Sequence, residues 1–392
     1  MIHYADDWLT VHQGDCREVM AGMEPESVHC VVTSPPYWGL RDYGEAGQLG
    51  LEPTPELYVA AMVEVFRAVR RVLRADGTVW LNLGDSYSGS WSGHSMRPEG
   101  GEQREGGPGF QPLDARYPSR PPNVPGLKPK DLVGIPWRVA FALQADGWYL
   151  RSDIIWAKPN PMPESVTDRP TKAHEYLFLL SKSARYFYDQ AAVMERDAGT
   201  DHRREILTGP SLEPSGGLAG PHTGIRTIEG RNGSGRNLRS VWTIATQPYP
   251  GAHFATFPEA LVEPCVKAGT SERGVCPECG APWVREVERS GGLIGTKGGW
   301  HPHDRTTADP LVADKAGGHK EWNDYHRETT GWRPSCAHGL DPIGATVLDI
   351  FGGSGTTARV ANRLSRRAVL IDLSTDYLDQ AMVRNAQKVI GL

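Results

Sequence analysis

The stretch TVLDIFGGSGTTA, residues 346 to 358, joins an apolar run to a glycine-rich loop and then to the start of a helix. Residues 346 to 350 predict a buried strand, and residues 357 to 364 predict a helix. The glycines between them let a ligand approach the backbone closely. A second strand, residues 367 to 373, contains Asp372, whose carboxylate can accept hydrogen bonds from ribose hydroxyls. The pattern therefore predicts a strand, loop, helix and strand that bind a ribose-containing ligand.

Two common nucleotide-binding loops do not match this stretch. A Walker loop requires Gly-Lys-Ser or Gly-Lys-Thr, which is missing here. The spacing of Gly352, Gly353 and Gly355 also differs from the G-x-G-x-x-G of a dinucleotide fingerprint. The ligand is therefore expected to belong to another class.

Strand and helix signals also alternate near the N-terminus. Residues 28 to 33 predict a buried strand, Thr54 followed by Pro55 predicts the N-terminus of a helix that runs to about Leu73, and residues 78 to 83 predict the next strand. Alternation of this kind predicts an α/β fold with a mostly parallel sheet and helices on both faces.

Two stretches interrupt this pattern. Residues 86 to 130 are rich in glycine, serine, proline and arginine, and residues 196 to 240 place arginines among glycines and serines. We interpret the first as a flexible insertion, and the second as either a solvated linker or a segment that grips a phosphate backbone. Between them, residues 175 to 181 and 185 to 188 predict the two strands of a hairpin.

The second informative motif is TSPPYWGL, residues 33 to 40, at the end of a predicted strand. Two prolines fix φ and remove backbone donors, and two aromatic residues follow them. Alone, the motif fits a rigid turn with buried rings as well as it fits a binding site. Open parallel sheets bind ligands at the carboxyl ends of their strands, so this motif and the glycine loop are expected to meet there. Trp38 and Leu40 either line that site or pack beneath it.

Composition sets outer limits on function. The chain has 392 residues, with 42 basic and 47 acidic side chains and a net charge of −5. No global excess of positive charge indicates a nucleic-acid partner, although a locally basic face remains open. No apolar run is long enough to span a membrane, and the N-terminus lacks a basic and apolar leader. These features favour a soluble cytosolic protein.

A cysteine cluster predicts a metal site. Cys276 and Cys279 form a Cys-x-x-Cys pair, and Cys336 and His338 follow far downstream. Four such ligands can hold a structural zinc ion, and the alternative is a reduced thiol pair on a loop. A zinc-dependent base deaminase is excluded, because its H-x-E must precede the cysteines and the H-x-E stretches here, residues 319 to 321 and 326 to 328, both follow Cys279.

Taken together, the motifs resemble those of DNA amino-methyltransferases. Residues 349 to 356, of the form D-x-F-x-G-x-G-T, are similar to the S-adenosylmethionine loop of that family, and residues 33 to 37 to its catalytic [Ser/Asn/Asp]-Pro-Pro-[Tyr/Phe/Trp] motif. Weaker similarity extends over residues 14 to 16, 155 to 163, 174 to 176 and 253 to 258. The order of the motifs resembles the circularly permuted beta group. The resemblance implies an S-adenosylmethionine-dependent, Rossmann-like α/β fold, with a mixed seven-stranded sheet, inserted loops and a small zinc-ribbon-like module.

The resemblance also implies the residues of the site. The target amine needs two acceptors for its protons, the Ser34 hydroxyl and the Pro35 carbonyl, while Tyr37 stacks on a base flipped out of the duplex. The implied catalytic residues are Ser34, Pro35, Pro36 and Tyr37. The implied S-adenosylmethionine contacts are Asp15 near the adenine, His253 and Phe257 near the methionine, and Asp349, Phe351, Gly353, Ser354, Gly355, Thr356 and Asp372. The expected zinc ligands are Cys276, Cys279, Cys336 and His338.

Ser34 also bears on the substrate. In the family, Ser in this position favours cytosine N4, whereas Asp is usual for adenine N6, which stays the alternative. Methylation of RNA or protein is a third alternative, which Ser34 disfavours, because protein-glutamine and some RNA enzymes with a related Pro-Pro-Tyr motif carry Asn in this position. A rival of another class is a non-catalytic zinc-ribbon DNA-binding protein on a methyltransferase core.

The resemblance implies double-stranded DNA as the partner and no association with a membrane. It also implies a bacterial or phage-encoded protein in the cytoplasm, associated with the nucleoid. Whether the protein forms a homodimer, and whether it has a cognate restriction endonuclease, is left open by the sequence. The predicted segments of the methyltransferase core are a catalytic half at 1–85, further core with an edge hairpin at 131–195, a cofactor-enclosing segment at 241–264 and a cofactor-binding half at 341–392. The predicted insertions are a flexible one at 86–130, a flexible Arg/Gly-rich one at 196–240, for which a linker and a DNA-recognition segment both stay open, and a zinc-binding one at 265–340.

Overall fold

A computed structural model describes residues 1–40, 42–89, 124, 126–195, 236–247, 257–293 and 322–386, without the side chains of 289–293 and 322–327. Most of the two predicted insertions at 86–130 and 196–240 lies outside these residues. The chain divides into two compact units. The first comprises Met1–Val193, Arg239–Val284 and Pro334–Leu392, and the second comprises Met194–Leu238 and Arg285–Arg333.

The first unit contains a mixed sheet, whose described strands are β1 Ile2–Ala5, β2 Leu9–Gln13, β3 Val28–Thr33, β4 Leu73–Leu83, β5 Tyr149–Ala157, β6 His174–Ser181, β7 Val241–Thr243, β10 Thr346–Asp349 and β11 Arg367–Asp372. Across the sheet these strands have the order β1-β2-β11-β10-β3-β4-β6-β5-β7. The seven strands from β2 to β5 in this order correspond to the predicted seven-stranded sheet, and one short strand is added at each edge. The predicted α/β methyltransferase-like sheet is therefore present.

Most neighbouring strands are parallel, and β6 is the main exception. It runs antiparallel to both β4 and β5. The predicted hairpin of residues 175–181 and 185–188 is wrong, because residues 185–188 form no strand. Both edges of β6 are already hydrogen-bonded to β4 and β5, so no edge is left for a further partner.

Helices cover both faces of the sheet. They are α1 Cys16–Ala21, α2 Pro55–Val72, α3 Ile135–Ala145, α4 Glu259–Gly269, α5 Thr356–Arg363 and α6 Thr375–Ala386. Helix α2 begins as predicted, since the Thr54 side chain accepts a hydrogen bond from the backbone N–H of Leu57 and Pro55 occupies the first turn. Its buried face includes Tyr58, Met62 and other apolar side chains of the hydrophobic core. Helix α4 was not predicted.

A separate two-stranded sheet is formed by β8, Trp283–Leu293, and β9, Trp322–Pro334. Within the second unit, the Arg285 guanidinium lies 4.3 Å from the centre of the Trp332 ring, a cation–π distance. No helix in the described part of the chain is both long and apolar enough to cross a membrane.

Candidate active site and metal centre

The two sequence motifs lie at the carboxyl ends of neighbouring central strands, β3 and β10. Strands β10 and β3 are parallel neighbours, with Leu348 opposite Val31, so the loops that follow them emerge side by side. A cavity of about 910 Å³ opens between these loops. Of the predicted site residues, those that line it are Asp15, Ser34, Pro35, Pro36, Tyr37, Phe257, Phe351, Gly353, Ser354, Thr356 and Asp372.

Asp349 lies behind the cavity wall and connects the two loops. Its carboxylate accepts hydrogen bonds from the Thr33 hydroxyl at 2.7 Å and from the Thr357 hydroxyl at 2.7 Å. Burial raises the pKa of this carboxyl to about 7. Asp349 was expected to contact the cofactor, but it is 1% exposed and does not line the cavity, so its visible contacts are with the two loops.

The glycine loop is held mainly through its backbone. The Gly353 N–H donates to Asp372 at 2.8 Å, and the Ser374 N–H donates to the other carboxylate oxygen at 2.9 Å. Burial raises the pKa of Asp372, and these N–H donors oppose the rise. Gly353 and Gly355 have φ values of 47° and 73°, which favour glycine. Gly355 caps α5 and, like Asp349, lies outside the cavity lining.

Of the other predicted cofactor contacts, Asp15 and Phe257 line the cavity. Asp15 lines the cavity but also caps α1 by accepting from the Arg17 N–H at 2.7 Å, and its carboxylate forms an ion pair with the Arg17 side chain. Phe257 lines the cavity close to the N-terminus of α4. His253 lies outside the described residues.

The motif at residues 33 to 40 is held in place by side chains. Tyr58, on α2, donates its hydroxyl proton to the Pro36 carbonyl at 2.9 Å. The Tyr37 ring packs so closely on Gly84 that a Cβ at position 84 would lie 2.6 Å from a ring carbon. Trp38 is 3% exposed and donates to the Glu52 carbonyl at 2.8 Å, so it packs in the core, whereas Leu40 lines the cavity.

Three polar side chains surround the Tyr37 hydroxyl, and two of them, Asn82 and Glu175, are not among the predicted site residues. The hydroxyl lies 2.7 Å from a Glu175 carboxylate oxygen, 3.1 Å from the Asn82 side-chain oxygen and 3.4 Å from the Ser34 hydroxyl. Burial, together with the charge of Glu175, raises the pKa of Tyr37 well above its ordinary value, so it keeps its proton. Lys158 forms an ion pair with the second oxygen of Glu175.

Asn82, Lys158 and Glu175 all line the cavity. Lys158 and Glu175 belong to stretches that resemble the family, residues 155 to 163 and 174 to 176, but only the fold explains why their side chains meet. Lys158 follows the carboxyl end of β5, and Glu175 lies at the start of the antiparallel β6, which reaches the same edge of the sheet.

The predicted metal ligands form a compact group. The ligand atoms of Cys276, Cys279, Cys336 and His338 all lie within 4.8 Å of one another. Sulfur ligands of a tetrahedral zinc ion are about 3.8 Å apart, so this spacing fits such an ion after small adjustments. The pKa of the Cys276 thiol is lowered to about 6, mainly by a hydrogen bond from the backbone N–H of Cys279 and also by the nearby His338. This lower pKa favours the thiolate, the form that binds metal.

The turn that carries two of these ligands is attached to the sheet of the first unit. Arg74, on β4, donates to the Cys279 carbonyl at 2.6 Å. The His29 ring, on β3, lies 3.1 Å from the Gly280 carbonyl and accepts at its other nitrogen from the Thr346 N–H at 3.1 Å. Burial lowers the pKa of His29 to about 4, so it is a neutral ring that donates to Gly280.

The fold and the paired loops define a Rossmann-like methyltransferase. A family model described as DNA methylase matches residues 28–276 and 337–383, and the chain belongs to this family.

Similar proteins agree with this assignment. The chain is 46% identical over 261 residues to Type II methyltransferase M.SmaI of Serratia marcescens, covering 67% of this chain and 75% of that protein. It is 45% identical over 266 residues to Type II methyltransferase M.Cfr9I of Citrobacter freundii, covering 67% and 72%. It is also 29% identical over 415 residues to Type II methyltransferase M.SfiI of Streptomyces fimbriatus, covering 96% and 91%.

Among solved structures, the chain resembles PvuII DNA methyltransferase (cytosine-N4-specific). The TM-score is 0.52 at 16% identity, and the match covers 98% of this chain and 88% of that chain. At this identity the likeness concerns the fold, and it confirms the predicted fold class.

Proposed function

We propose that the protein is a Type II DNA methyltransferase that transfers the methyl group of S-adenosylmethionine to the exocyclic amine of a flipped base in double-stranded DNA. The observation that supports this most is that the Ser34-Pro35-Pro36-Tyr37 loop and the glycine loop line one cavity. A transfer reaction requires donor and acceptor in one enclosed space, within reach and in line. The Type II names of the relatives support a role in restriction-modification beside a cognate restriction endonuclease.

The proposed chemistry at the amine follows from the donors and acceptors in the substrate loop. The amine lone pair is delocalised into the base, so both amine protons must be held by acceptors before the lone pair can turn toward the methyl group. We assign these acceptors to the Ser34 hydroxyl and the Pro35 carbonyl. The Pro36 carbonyl is already bonded to Tyr58, so it is a poorer candidate. No covalent intermediate with the protein is required.

The donor half of the cavity suits S-adenosylmethionine, which supplies an activated methyl group when bound. Asp372 would accept from the ribose hydroxyls, and Phe351, Gly353, Ser354 and Thr356 would contact the cofactor. Further contacts are proposed for Asp15 beside the adenine and for Phe257 and His253 at the methionine end. Asp349 and Gly355 would act through the shape of the loop.

Cytosine N4 is the proposed target, with adenine N6 as the alternative. The proposal rests on Ser34 in the first position of the motif, the residue that favours cytosine N4 in the family. Methylation of a plasmid by the purified protein, followed by nucleoside mass spectrometry, separates N4-methylcytosine from N6-methyladenine. Sequencing of the same plasmid identifies the target sequence.

A Ser34→Ala, Pro35→Ala double variant tests the assigned site, because it removes the Ser34 hydroxyl and the proline ring that fixes the backbone at the Pro35 carbonyl. We expect it to bind S-adenosylmethionine as the wild type does and to lose methyl transfer. Unchanged methylation would refute the assigned site. A wild-type protein that binds DNA and transfers no methyl group would instead favour the non-catalytic DNA-binding alternative.

We further propose that Cys276, Cys279, Cys336 and His338 hold a structural zinc ion. The spacing of the ligand atoms and the low pKa of Cys276 support this assignment. Elemental analysis of the purified protein should find about one zinc ion per chain. Cys279→Ser should lower that content, and metal-free wild-type protein of unchanged thermal stability would contradict the proposal.

A further inference from the structure

We propose that Glu175 is a positioning residue, which acts through Tyr37 to fix the direction of the Ser34 hydroxyl. The inference rests on the proposed function, because it concerns the same pocket. It explains why the Ser34 hydroxyl accepts a hydrogen bond from the amine, a direction that the motif alone does not determine. A serine hydroxyl can donate or accept, and only an accepting hydroxyl can hold a proton of the target amine.

The direction follows from a count of protons around Tyr37. Its phenol has one proton and faces Glu175 at 2.7 Å, Asn82 at 3.1 Å and Ser34 at 3.4 Å. The shortest of these contacts is to a carboxylate, and hydrogen bonds to charged acceptors are the stronger ones. The phenol therefore donates to Glu175, and its oxygen is left to accept.

Ser34 is the group that can donate to this oxygen. A carboxylate carries no proton, so Glu175 cannot. Asn82 presents its side-chain oxygen to Tyr37, because its NH₂ group donates to the Tyr176 carbonyl at 3.1 Å. The Ser34 proton then points to Tyr37, and the lone pairs of Ser34 remain for the amine.

Lys158 holds the carboxylate in this orientation. It pairs with the Glu175 oxygen that does not contact Tyr37, and both side chains are largely buried, at 18% and 16% exposure. The Lys158 ammonium also lies 4.3 Å from the centre of the Trp156 ring, which limits its movement. The carboxylate is therefore fixed at both oxygens.

The Glu175→Gln variant tests the proposal with almost no change of shape. Lys158 can donate only to the amide oxygen, so the NH₂ group faces Tyr37 and competes with Ser34 for the phenol oxygen. The phenol proton is then free to turn toward Ser34. We expect the single-turnover rate of methyl transfer to fall about tenfold, the value of one misdirected hydrogen bond. The dissociation constants for DNA and S-adenosylmethionine should stay near those of the wild type.

A second variant separates positioning from structure. Tyr37→Phe keeps the ring and removes the oxygen that links Glu175 to Ser34. Glu175→Gln should therefore cause no further loss of rate in the Tyr37→Phe background. Glu164→Gln is the matched control, because Glu164 is also largely buried in an ion pair, with Arg169 at 2.7 Å, and does not line the cavity. We expect its transfer rate to equal that of the wild type.

The proposal is overturned if Glu175→Gln transfers as fast as the wild type, if its loss is equally large beside Tyr37→Phe, or if only the melting temperature or binding changes. If Glu175→Gln does not fold, the link is tested by comparing the transfer rates of Ser34→Ala, Tyr37→Phe and the double variant. Ser34→Ala must then lose less rate in the Tyr37→Phe background than alone, and additive losses would refute the link. A wild-type enzyme without methyl transfer would be a failure of the proposed function itself, which the same assay shows first.

Discussion

The loop after β3 and the loop after β10 both line the cavity, but their conformations are held by different interactions. Residues 33–37 are fixed by two prolines and by hydrogen bonds from side chains, among them that of Tyr58. The glycine loop is fixed by its own N–H groups and by backbone conformations that favour glycine. In the proposed function, one loop thus presents side chains to the target base, and the other lets S-adenosylmethionine approach the backbone.

This difference predicts which substitutions each loop tolerates. The substrate loop should be sensitive to changes that move a ring or a hydroxyl. The glycine loop should be sensitive to any added Cβ, whatever its chemistry. Asp349 accepts hydrogen bonds from Thr33 and from Thr357, so a substitution of Asp349 should affect both loops.

The largest effect on catalysis is expected from Gly84→Ala. The new Cβ would lie 2.6 Å from the Tyr37 ring, so the ring must move. Because a displacement of about 1 Å at a reacting site can cost about 100-fold in rate, we expect a fall of that order in single-turnover methyl transfer. S-adenosylmethionine binding, measured by calorimetry, should be unchanged. A variant that loses cofactor affinity instead would remove the distinction between the loops.

Gly355→Ala should produce the converse pattern. Its φ is 73°, and an added Cβ would lie 2.8 Å from the Ala381 side chain on α6. We expect about 2–4 kcal/mol of lost stability in urea unfolding, together with weaker S-adenosylmethionine binding.

Gly134→Ala is a suitable control for this strain, since its φ is 79° and nothing lies within 4 Å of the added Cβ. It should cost only about 1–2 kcal/mol and leave cofactor binding intact. Equal losses in the two variants would show that contact with α6 is unimportant.

The smallest effect is expected from Asp349→Asn, and it depends on pH. The folded pKa of about 7 lies above the ordinary 3.8, so the folded protein keeps a proton that the unfolded chain releases between these values. The free energy of unfolding of the wild type should therefore fall as pH rises through this window. The amide of the variant does not titrate there, so urea unfolding at several pH values should give a flatter profile. Parallel profiles would contradict the assigned pKa.

Local patterns predicted much of the core. Strand β3 has the predicted limits, α2 begins at the predicted cap, and the two motifs meet at the ends of adjacent parallel strands. These features depend on periodicity, capping and the geometry of parallel sheets. The cavity also brings together most of the predicted site residues.

Features that depend on strand order were not predictable in the same way. Glu175 reaches Tyr37 because β6 runs antiparallel between β4 and β5, and the hairpin prediction placed its partner wrongly. Lys158 and Asn82 acquire a role only through that arrangement. Asp349 matches a cofactor motif in sequence, yet its burial and its bonds to Thr33 and Thr357 are tertiary properties.

The pairing of β3 with β10 also bears on the synthesis of the protein. Thr33 and Asp349 are hydrogen-bonded although 316 positions separate them along the chain. During translation β3 emerges long before its neighbour, and contacts of such sequence separation form late and slowly. The pocket therefore exists only after the ribosome has made β10. A nascent chain therefore carries Ser34 and Tyr37 long before it carries the glycine loop that lines the same cavity.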